Sequence, residues 1–259
     1  KWHLDGHGRS AYIPPKRRQG FDYWKVLECT HDYNHSASYA GDDPAPRLWD
    51  GYDAFDQTDD ACGYIDDRAG SDAPFALFLS FGTPHDPYDT APEDLKSLYP
   101  GDGLELRRNV PDHRAELARR QLTGYYAHIT AIDRCMARID EALESAGIAQ
   151  DTILVFTSDH GDMIESHWHT AGDRRGVRKQ VPYDESVLVP FLLRYPSKLG
   201  EEARRITTPI AAPDIMPTIL SLAEVPIPET VEGIDLSPAL VEAAGSEATG
   251  RTGVLIANY

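Results

Sequence analysis

An apolar run at residues 153–156 ends at Asp159, His160 and Gly161, which place a carboxylate beside an imidazole. The run predicts a buried strand, and α/β enzymes carry their reactive groups where such strands end. Adjacent side chains on a strand point to opposite faces, so both can serve one site only in a turn, which Gly161 permits. A carboxylate oxygen and an imidazole suit a divalent cation, with further ligands from elsewhere. A surface turn with a solvated acid is the alternative for this pair alone.

A second apolar run, at residues 75–81, ends in a turn that carries His85 between Pro84 and Pro87. The continuous run predicts a strand that is buried on both faces. Because the two prolines stiffen the turn, His85 is a candidate general acid or base. Two predicted strands therefore end in residues that can do chemistry.

Basic residues form the third group of candidate site residues. Lys179 precedes a second buried-strand signal at residues 187–193 and can neutralise an anionic substrate, although a solvated charge is the alternative. Lys1 and His3 lie two positions apart, so they face the same side of an extended segment. A divalent cation, two lysines and two histidines fit the hydrolysis of an anionic ester, with charge stabilisation at the transferred group.

Composition narrows the class of protein. The 259 residues carry a formal net charge of −17, which argues against non-specific binding to nucleic acid or an anionic membrane. No apolar run approaches the ~18–20 residues that span a bilayer. Three cysteines are too few and too scattered for a disulfide framework or a zinc site, so we interpret them as small apolar residues of a reducing compartment. A single domain is favoured over two.

Strands that alternate with helices predict an α/β fold, a layered sheet with helices on both faces. An apolar stripe at helical spacing predicts a helix over residues 111–147, with a possible break near Gly124. A second helix is predicted at residues 213–222 and a further strand at 189–195. The other predictions are loops over residues 1–55, a short helix reaching Asp67 and a strand at 253–257.

Four motifs together carry a family resemblance. They are Lys1–Trp2–His3–Leu4, residues 84–88, residues 157–163, and Lys179 with residues 183–190. In this order they resemble the type I sulfatases of the alkaline phosphatase superfamily, and residues 214–218 resemble the helix that follows in that family. The resemblance implies an alkaline-phosphatase-like α/β fold in which residues 1–259 form one partial catalytic domain, incomplete at both ends.

The resemblance also implies roles for individual residues. Asp159 and His160 match a metal-ligand pair that usually binds Ca²⁺ and often has Asn in the second place. Because His in that place also occurs in relatives that use other divalent ions, Mn²⁺ and Mg²⁺ are alternatives. Lys1 and Lys179 match the lysines that hold sulfate oxygens.

Two histidines match further catalytic positions. His85 matches the histidine that protonates the leaving alkoxide, and His3 matches the histidine beside the nucleophile, which assists sulfate release. Asp5 departs from the family, which usually has Gly there. The remaining histidines, including His31, are assigned no role. His167 and its neighbours up to His169 are candidates for substrate contact or for support of the site residues, with an ordinary loop role as the alternative.

The family's nucleophile motif, Cys or Ser followed by x-Pro/Ala-x-Arg, does not occur in the 259 residues. Its Cys or Ser becomes formylglycine in the family, and we expect this motif and the family's early paired aspartates before Lys1. We also expect a C-terminal subdomain to continue after Tyr259. The isolated chain is therefore expected to be inactive.

The leading hypothesis is a sulfuric ester hydrolase that converts an organic sulfate ester to alcohol and sulfate. A phosphonate monoester or phosphodiester hydrolase of the same superfamily is the first alternative, and an inactive fragment or binding module is the second. The expected partner is a small-molecule or carbohydrate sulfate ester, with no nucleic acid and no membrane. The oligomeric state and the compartment, cytoplasmic or periplasmic, stay open.

Overall fold

The structure is a computed structural model that describes residues 1–168, 178–179, 181–241 and 253–254. It divides into two compact units, residues 1–146 and 147–259. Both helices and sheets are present, so the predicted α/β class is confirmed. The assignment of residues 1–259 to one catalytic domain stays a prediction.

Unit 1 contains a small antiparallel sheet and three helices. The strands are β1 (Lys25–Val26), β2 (Ala37–Ala40) and β3 (Arg47–Leu48), in the order β1-β2-β3, and the helices are α1 (Asp53–Ala69), α2 (Glu93–Lys96) and α3 (Ala115–Ser145). Lys25 pairs with Ala40, and Ala37 pairs with Leu48. The prediction of loops over residues 1–55 is confirmed for most of the segment and is wrong at the three strands, because strands of two to four residues are too short to show a period of two.

The core of unit 1 forms where α1 packs against α3. Tyr33, Leu95 and Cys135 are fully buried there, together with small residues of α3 such as Ala127 and Ala131. The apolar stripe of α3 is confirmed at its C-terminal half, where Ile132, Ile139 and Leu143 are buried. The short helix predicted to reach Asp67 is present as α1, which is longer than predicted and ends at Ala69.

Gly124 does not break α3, which runs without interruption from Ala115 to Ser145. Its function is close packing. A Cβ atom at this position would lie 2.1 Å from the carbonyl oxygen of Tyr88, in the 3-10 turn Tyr88–Thr90 that follows His85. Helix α3 therefore supports the His85 turn through backbone contact at a point where a side chain cannot fit.

Residues 75–81 are extended but are not assigned as a strand. Burial alternates along the segment, and the Phe78 side chain is 76% exposed, so the prediction of a strand buried on both faces is wrong. The Phe21 ring packs edge-on against Phe78, and the main-chain nitrogen of Lys1 donates to Ser80 O at 2.9 Å. A continuous apolar run measures hydrophobicity only, whereas the neighbouring segments decide which faces are covered.

Among its described residues, unit 2 has a two-stranded antiparallel sheet and four short helices. The strands are β4 (Leu154–Thr157) and β5 (Phe191–Arg194), and the helices are α4 (Asp184–Val187), α5 (Pro196–Leu199), α6 (Ala212–Leu222) and α7 (Ser237–Val241). Leu154 pairs with Arg194 and Thr157 with Phe191. The strands predicted at residues 153–156 and 189–195 and the helix predicted at 213–222 are present. The prediction that the strands are buried is wrong, because no residue of β4 or β5 is fully covered and Leu192 is 64% exposed. The strand predicted at 253–257 lies mostly outside the described residues.

Asp214 anchors the start of α6. Its side chain is only 2% exposed, with Oδ2 accepting the Ala211 amide at 2.7 Å and Oδ1 accepting the Ile234 amide at 2.9 Å. A Cβ atom at Gly233 would lie 1.9 Å from Pro213 O, so the loop before α7 packs backbone to backbone against this helix start. The residues 214–218 motif therefore has a structural function.

All three cysteines are free thiols, and Cys29 and Cys135 are buried, in agreement with their interpretation as small apolar residues. Burial raises the pKa of the Cys62 and Cys135 thiols, which disfavours the reactive thiolate. Within the described ranges, no helix is both long and apolar enough to cross a membrane.

His128 and Asp53 make the stability of unit 1 depend on pH in opposite directions. Burial lowers the pKa of His128 to about 4 and raises the pKa of Asp53 to about 6. Between pH 6.5 and 4 the unfolded chain binds a proton at His128 that the folded chain does not. The free energy of unfolding therefore decreases as the pH is lowered through this range. The full His128 effect is roughly 3 kcal/mol, at about 1.4 kcal/mol per pKa unit. Asp53 opposes it, because its folded form binds the proton more tightly than the unfolded chain does.

We therefore expect a shallower pH dependence in His128→Gln and a steeper one in Asp53→Asn. Urea unfolding of both variants and of the wild type at about pH 7 and about pH 5 measures this difference. The glutamine retains a polar partner for the Tyr52 hydroxyl, which lies 2.6 Å from His128 Nδ1. Equal pH dependence in all three proteins would contradict the burial argument.

Candidate active site

Unit 2 brings Asp159, His160 and Lys179 together just after strand β4. Lys179 Nζ donates to His160 Nε2 at 2.9 Å, and Asp159 Oδ2 lies 3.6 Å from the same nitrogen. The His160 amide donates to Asp159 Oδ1 at 3.0 Å, and Ser158 Oγ donates to His160 O at 2.8 Å. A compact turn thus presents a carboxylate, an imidazole and an ammonium group at the end of a strand, as the sequence predicted.

The hydrogen bonds of His160 define its tautomer. Its Nδ1 lies 2.8 Å from Gly161 O, a carbonyl that only accepts, so Nδ1 carries the hydrogen. Nε2 therefore has the lone pair, which accepts the hydrogen bond from the Lys179 ammonium. A metal-ligating imidazole has a lone pair on one ring nitrogen while the other nitrogen donates to a carbonyl, and His160 has this tautomer. A cation at Nε2 would displace the Lys179 ammonium from that lone pair.

The position of Lys179 depends on Gly161 and Ser186. The Gly161 amide donates to Ser186 O at 2.8 Å, and Ser186 Oγ donates to Lys179 O at 2.6 Å. A Cβ atom at Gly161 would lie 2.1 Å from Glu185 O, and Gly161 does not have a positive φ. Close approach of helix α4, rather than an unusual turn conformation, therefore requires glycine here.

The donor set of Asp159 and His160 fits part of a divalent-cation site. Asp159 is a hard oxygen donor whose side chain is 86% exposed, and His160 provides a nitrogen lone pair. Within the part of the chain that the structure describes, no group of three or more His, Cys, Asp or Glu residues has metal-binding geometry. Two more acidic residues follow the pair in the sequence, of which Asp162 accepts the Ile164 amide at 3.0 Å and Glu165 is buried. The pair alone does not complete a metal site, and a divalent cation there would need further ligands.

His167 packs against the start of helix α4. Its ring stacks on Tyr183 with centroids 3.8 Å apart, and its Nε2 lies 3.1 Å from Glu185 Oε2. These contacts hold the segment that also positions Ser186 and Gly161, which agrees with the supporting role considered for His167 from the sequence. His169 and the basic residues Arg174 and Arg175 lie outside the described residues.

Unit 1 holds His85 in a fixed turn. His85 Nδ1 lies 2.9 Å from Asp86 O and 3.2 Å from the Asp86 carboxylate. Because the carbonyl only accepts, Nδ1 carries a hydrogen in this contact. The Thr83–Pro84 and Asp86–Pro87 peptide bonds on either side are cis. His31, which was assigned no role from its sequence position, stacks on His85 with ring centroids 4.6 Å apart and planes 25° apart.

The Lys1–His3 segment is held by its backbone. The Trp2 and His3 amides donate to Leu27 O and Glu28 O, both at 3.0 Å, and the His3 side chain is exposed. Asp5, which replaces the family's usual Gly, forms an ion pair with Arg17 at 2.8 Å. Asp5 therefore helps to anchor the Lys1–His3 segment through a contact that glycine could not make.

The environment of His31 is positively charged. Burial is the main cause that lowers its pKa to about 4, and the charges of Lys1, His85 and Arg9 lower the pKa further, while Asp86 raises it. His31 is consequently neutral near pH 7. Lys1 and His85, which belong to separate sequence motifs, thus both lower the pKa of the His31 imidazole through their charges.

Comparison with known proteins assigns the chain to a family. The sulfatase family model matches residues 1–225. The chain belongs to the sulfatase family. A protein of Bacteroides fragilis that is named sulfatase yidJ has a similar solved structure, with a TM-score of 0.80 and 28% identity, covering 89% of this chain and 50% of that one. This similarity confirms the alkaline-phosphatase-like fold.

Two curated sulfatases are similar in sequence. The "Ulvan-active sulfatase" of Formosa agariphila is 44% identical over 237 residues, covering 92% of this chain and 45% of that protein. The "Endo-4-O-sulfatase" of Bacteroides thetaiotaomicron is 32% identical over 245 residues, covering 88% of this chain and 45% of that protein. The chain spans about half the length of the curated relatives it matches.

Proposed function

We propose that this sulfatase-family chain takes part in the hydrolysis of an organic sulfate ester to an alcohol and sulfate. The observation that carries the proposal is the contact of Lys179 with His160, 2.9 Å from Nζ to Nε2, directly beside Asp159. A cation beside a pair of metal-ligand type suits an anionic group whose negative charge grows during the reaction. The 44% identical relative, named as a sulfatase, supports the same reaction.

His85 is the proton donor to the leaving group in this proposal. As the bond between sulfur and the ester oxygen breaks, that oxygen takes the proton from His85 Nε2, and the alcohol leaves uncharged. The hydrogen bond from Nδ1 to Asp86 O holds the ring in the orientation that leaves Nε2 for this transfer. Lys1 and Lys179 hold sulfate oxygens, and His3 assists the release of sulfate.

Asp159 and His160 hold a divalent cation in this proposal, Ca²⁺ first, with Mn²⁺ or Mg²⁺ as alternatives. The tautomer of His160 and the exposed Asp159 carboxylate support these roles. When bound, the cation supplies positive charge that stabilises the transferred group. The attacking nucleophile is formylglycine in the family, and this role is expected outside the 259 residues.

The proposed substrate is a sulfated carbohydrate. The names of both curated relatives, an ulvan-active sulfatase and an endo-4-O-sulfatase, support this class. Small-molecule sulfate esters serve as assay substrates for the same chemistry.

The test compares the 259-residue chain alone with a fusion in which it follows the N-terminal segment of the Formosa agariphila relative, produced in a host that forms formylglycine. We expect no turnover by the chain alone. The fusion should hydrolyse 4-nitrophenyl sulfate and a sulfated oligosaccharide faster than bis(4-nitrophenyl) phosphate or a phosphonate monoester. His85→Asn should lower turnover by about 10²-fold or more, and EDTA should reduce it.

Each other outcome rejects the proposal in a distinct way. Dominant phosphodiester or phosphonate turnover would identify the alternative hydrolase. No turnover of any ester by a folded fusion whose formylglycine is seen by mass spectrometry would identify a binding module. Hydrolysis by the chain alone would show that its own residues supply the nucleophile.

A further inference from the structure

His31 and His85 form a stacked pair of imidazoles in unit 1, and the reaction proposed above uses only His85. The rings are nearly parallel, with centroids 4.6 Å apart. His31 lies in the loop between β1 and β2, far from His85 along the chain, and belongs to none of the family motifs. The stack is therefore a tertiary contact that needs its own explanation.

The loop that carries His31 is anchored on both sides of the histidine. Before it, the Cys29 amide donates to Arg9 O at 2.9 Å. After it, Tyr33 is fully buried, and its hydroxyl donates to Asp86 O at 3.2 Å. Asp86 O also accepts the hydrogen bond from His85 Nδ1 at 2.9 Å. One carbonyl oxygen thus connects the His31 loop to the ring on which His31 stacks.

The charges around the pair determine which ring carries a proton. Lys1, Arg9 and His85 present positive charge to His31, and Asp86 acts in the opposite direction. Burial and these cations hold the pKa of His31 near 4, so His31 stays neutral when His85 is protonated. A neutral aromatic face stabilises a neighbouring imidazolium, whereas a second cation would repel it.

We propose that His31 is a positioning residue that holds the His85 ring in its proton-donating orientation by stacking as a neutral imidazole. This inference rests on the proposed function, because His85 is assigned there as the proton donor. The effect of His31 on the reaction passes through the orientation of the His85 ring. The aromatic face matters in this arrangement, and the ring nitrogens of His31 do not.

The test uses the 259-residue chain with ¹⁵N-labelled histidine and the variants His31→Ala and His31→Phe. At a pH at which the wild-type His85 ring is neutral, its ¹⁵N shifts should report the Nδ1–H tautomer that its bond to Asp86 O requires, and the proton that Nε2 donates is added to this form. His31→Ala removes the stacking face, so both His85 nitrogens should move toward averaged shifts. His31→Phe keeps a neutral ring in the same place and should restore the wild-type shifts.

A second measurement connects the pair to the reaction. In the active fusion, His31→Ala should lower kcat about 10-fold for an ester with a poorly acidic alcohol, with little change in KM. The loss should be smaller for 4-nitrophenyl sulfate, whose leaving group needs little protonation. His31→Phe should recover most of the activity.

The possible results separate this inference from the proposed function. Unchanged His85 shifts in His31→Ala, or equal disturbance in His31→Ala and His31→Phe, would overturn the positioning role. If His31→Ala does not fold, the shifts of His31→Phe decide alone, and a lost tautomer there would overturn it. Altered shifts together with full activity of His85→Asn would instead reject the assignment of His85 as the proton donor, while the positioning of its ring stands.

Discussion

Replacing Gly161 with alanine is expected to destabilise the protein by about 3 kcal/mol, the upper part of the usual range for overpacking. A Cβ atom there would lie 2.1 Å from the Glu185 carbonyl oxygen, which is a backbone atom and cannot turn away as a side chain can. Helix α4 would have to move from the turn that carries His160. Because Ser186 Oγ holds Lys179 O at 2.6 Å, the same movement would separate Lys179 from His160.

Urea unfolding measures the loss of stability, and the ¹⁵N shifts of His160 measure the loss of its contact with Lys179. Gly63→Ala is the matched control, since Gly63 lies on an exposed part of α1 with nothing within 4 Å of the place that a Cβ atom would take. That control should stabilise the protein by up to about 1 kcal/mol, because alanine favours helix more than glycine. Wild-type stability in Gly161→Ala would show that α4 and the turn do not pack as described.

Replacing Lys179 with methionine is expected to lower kcat/KM for a sulfate ester by about 10²–10³-fold in the active fusion, the usual cost of removing one charge-stabilising donor. The ammonium is the group that contacts His160, whereas the backbone oxygen of Lys179 accepts the Ser186 hydrogen bond. Methionine keeps that backbone contact and much of the side-chain volume. The free energy of unfolding should therefore change by less than about 1 kcal/mol.

Lys198→Met is the matched control in the same unit. Lys198 pairs with Glu224 at 2.8 Å and caps helix α6 through Leu222 O, away from the Lys179 cluster. It should cost no more than about 1 kcal/mol of stability and leave turnover unchanged. If Lys179→Met retained turnover within about 3-fold of the wild type, Lys179 would be a solvated surface charge rather than part of an anion-binding group.

Elements with long or strong sequence signals were predicted correctly. The stripe of α3 and the apolar runs of β4 and β5 gave the right type of structure at nearly the right positions. Strands β1–β3 were missed because two to four residues show no period. The sulfatase family was also predicted correctly, since four motifs in a fixed order are far more specific than any one of them.

The candidate site was predicted in part. Asp159, His160 and Lys179 meet as expected, because a strand end and a following loop bring them together within one unit. The stack of His31 on His85 was not predictable, since it joins two loops with no shared pattern. The exposure of residues 75–81 was also missed, because hydrophobicity does not tell which segments cover an apolar run.

The amino-acid sequence by itself determined the α/β class, the sulfatase family and the residue types available for chemistry, because these follow from local periodicity and short motifs. Only the tertiary structure decided why Gly124 and Gly161 are glycines, which tautomer His160 adopts and which ring supports His85. Those properties depend on backbone approach and ring contact between segments distant in the chain. Such contacts leave no local pattern, so packing alone reveals them.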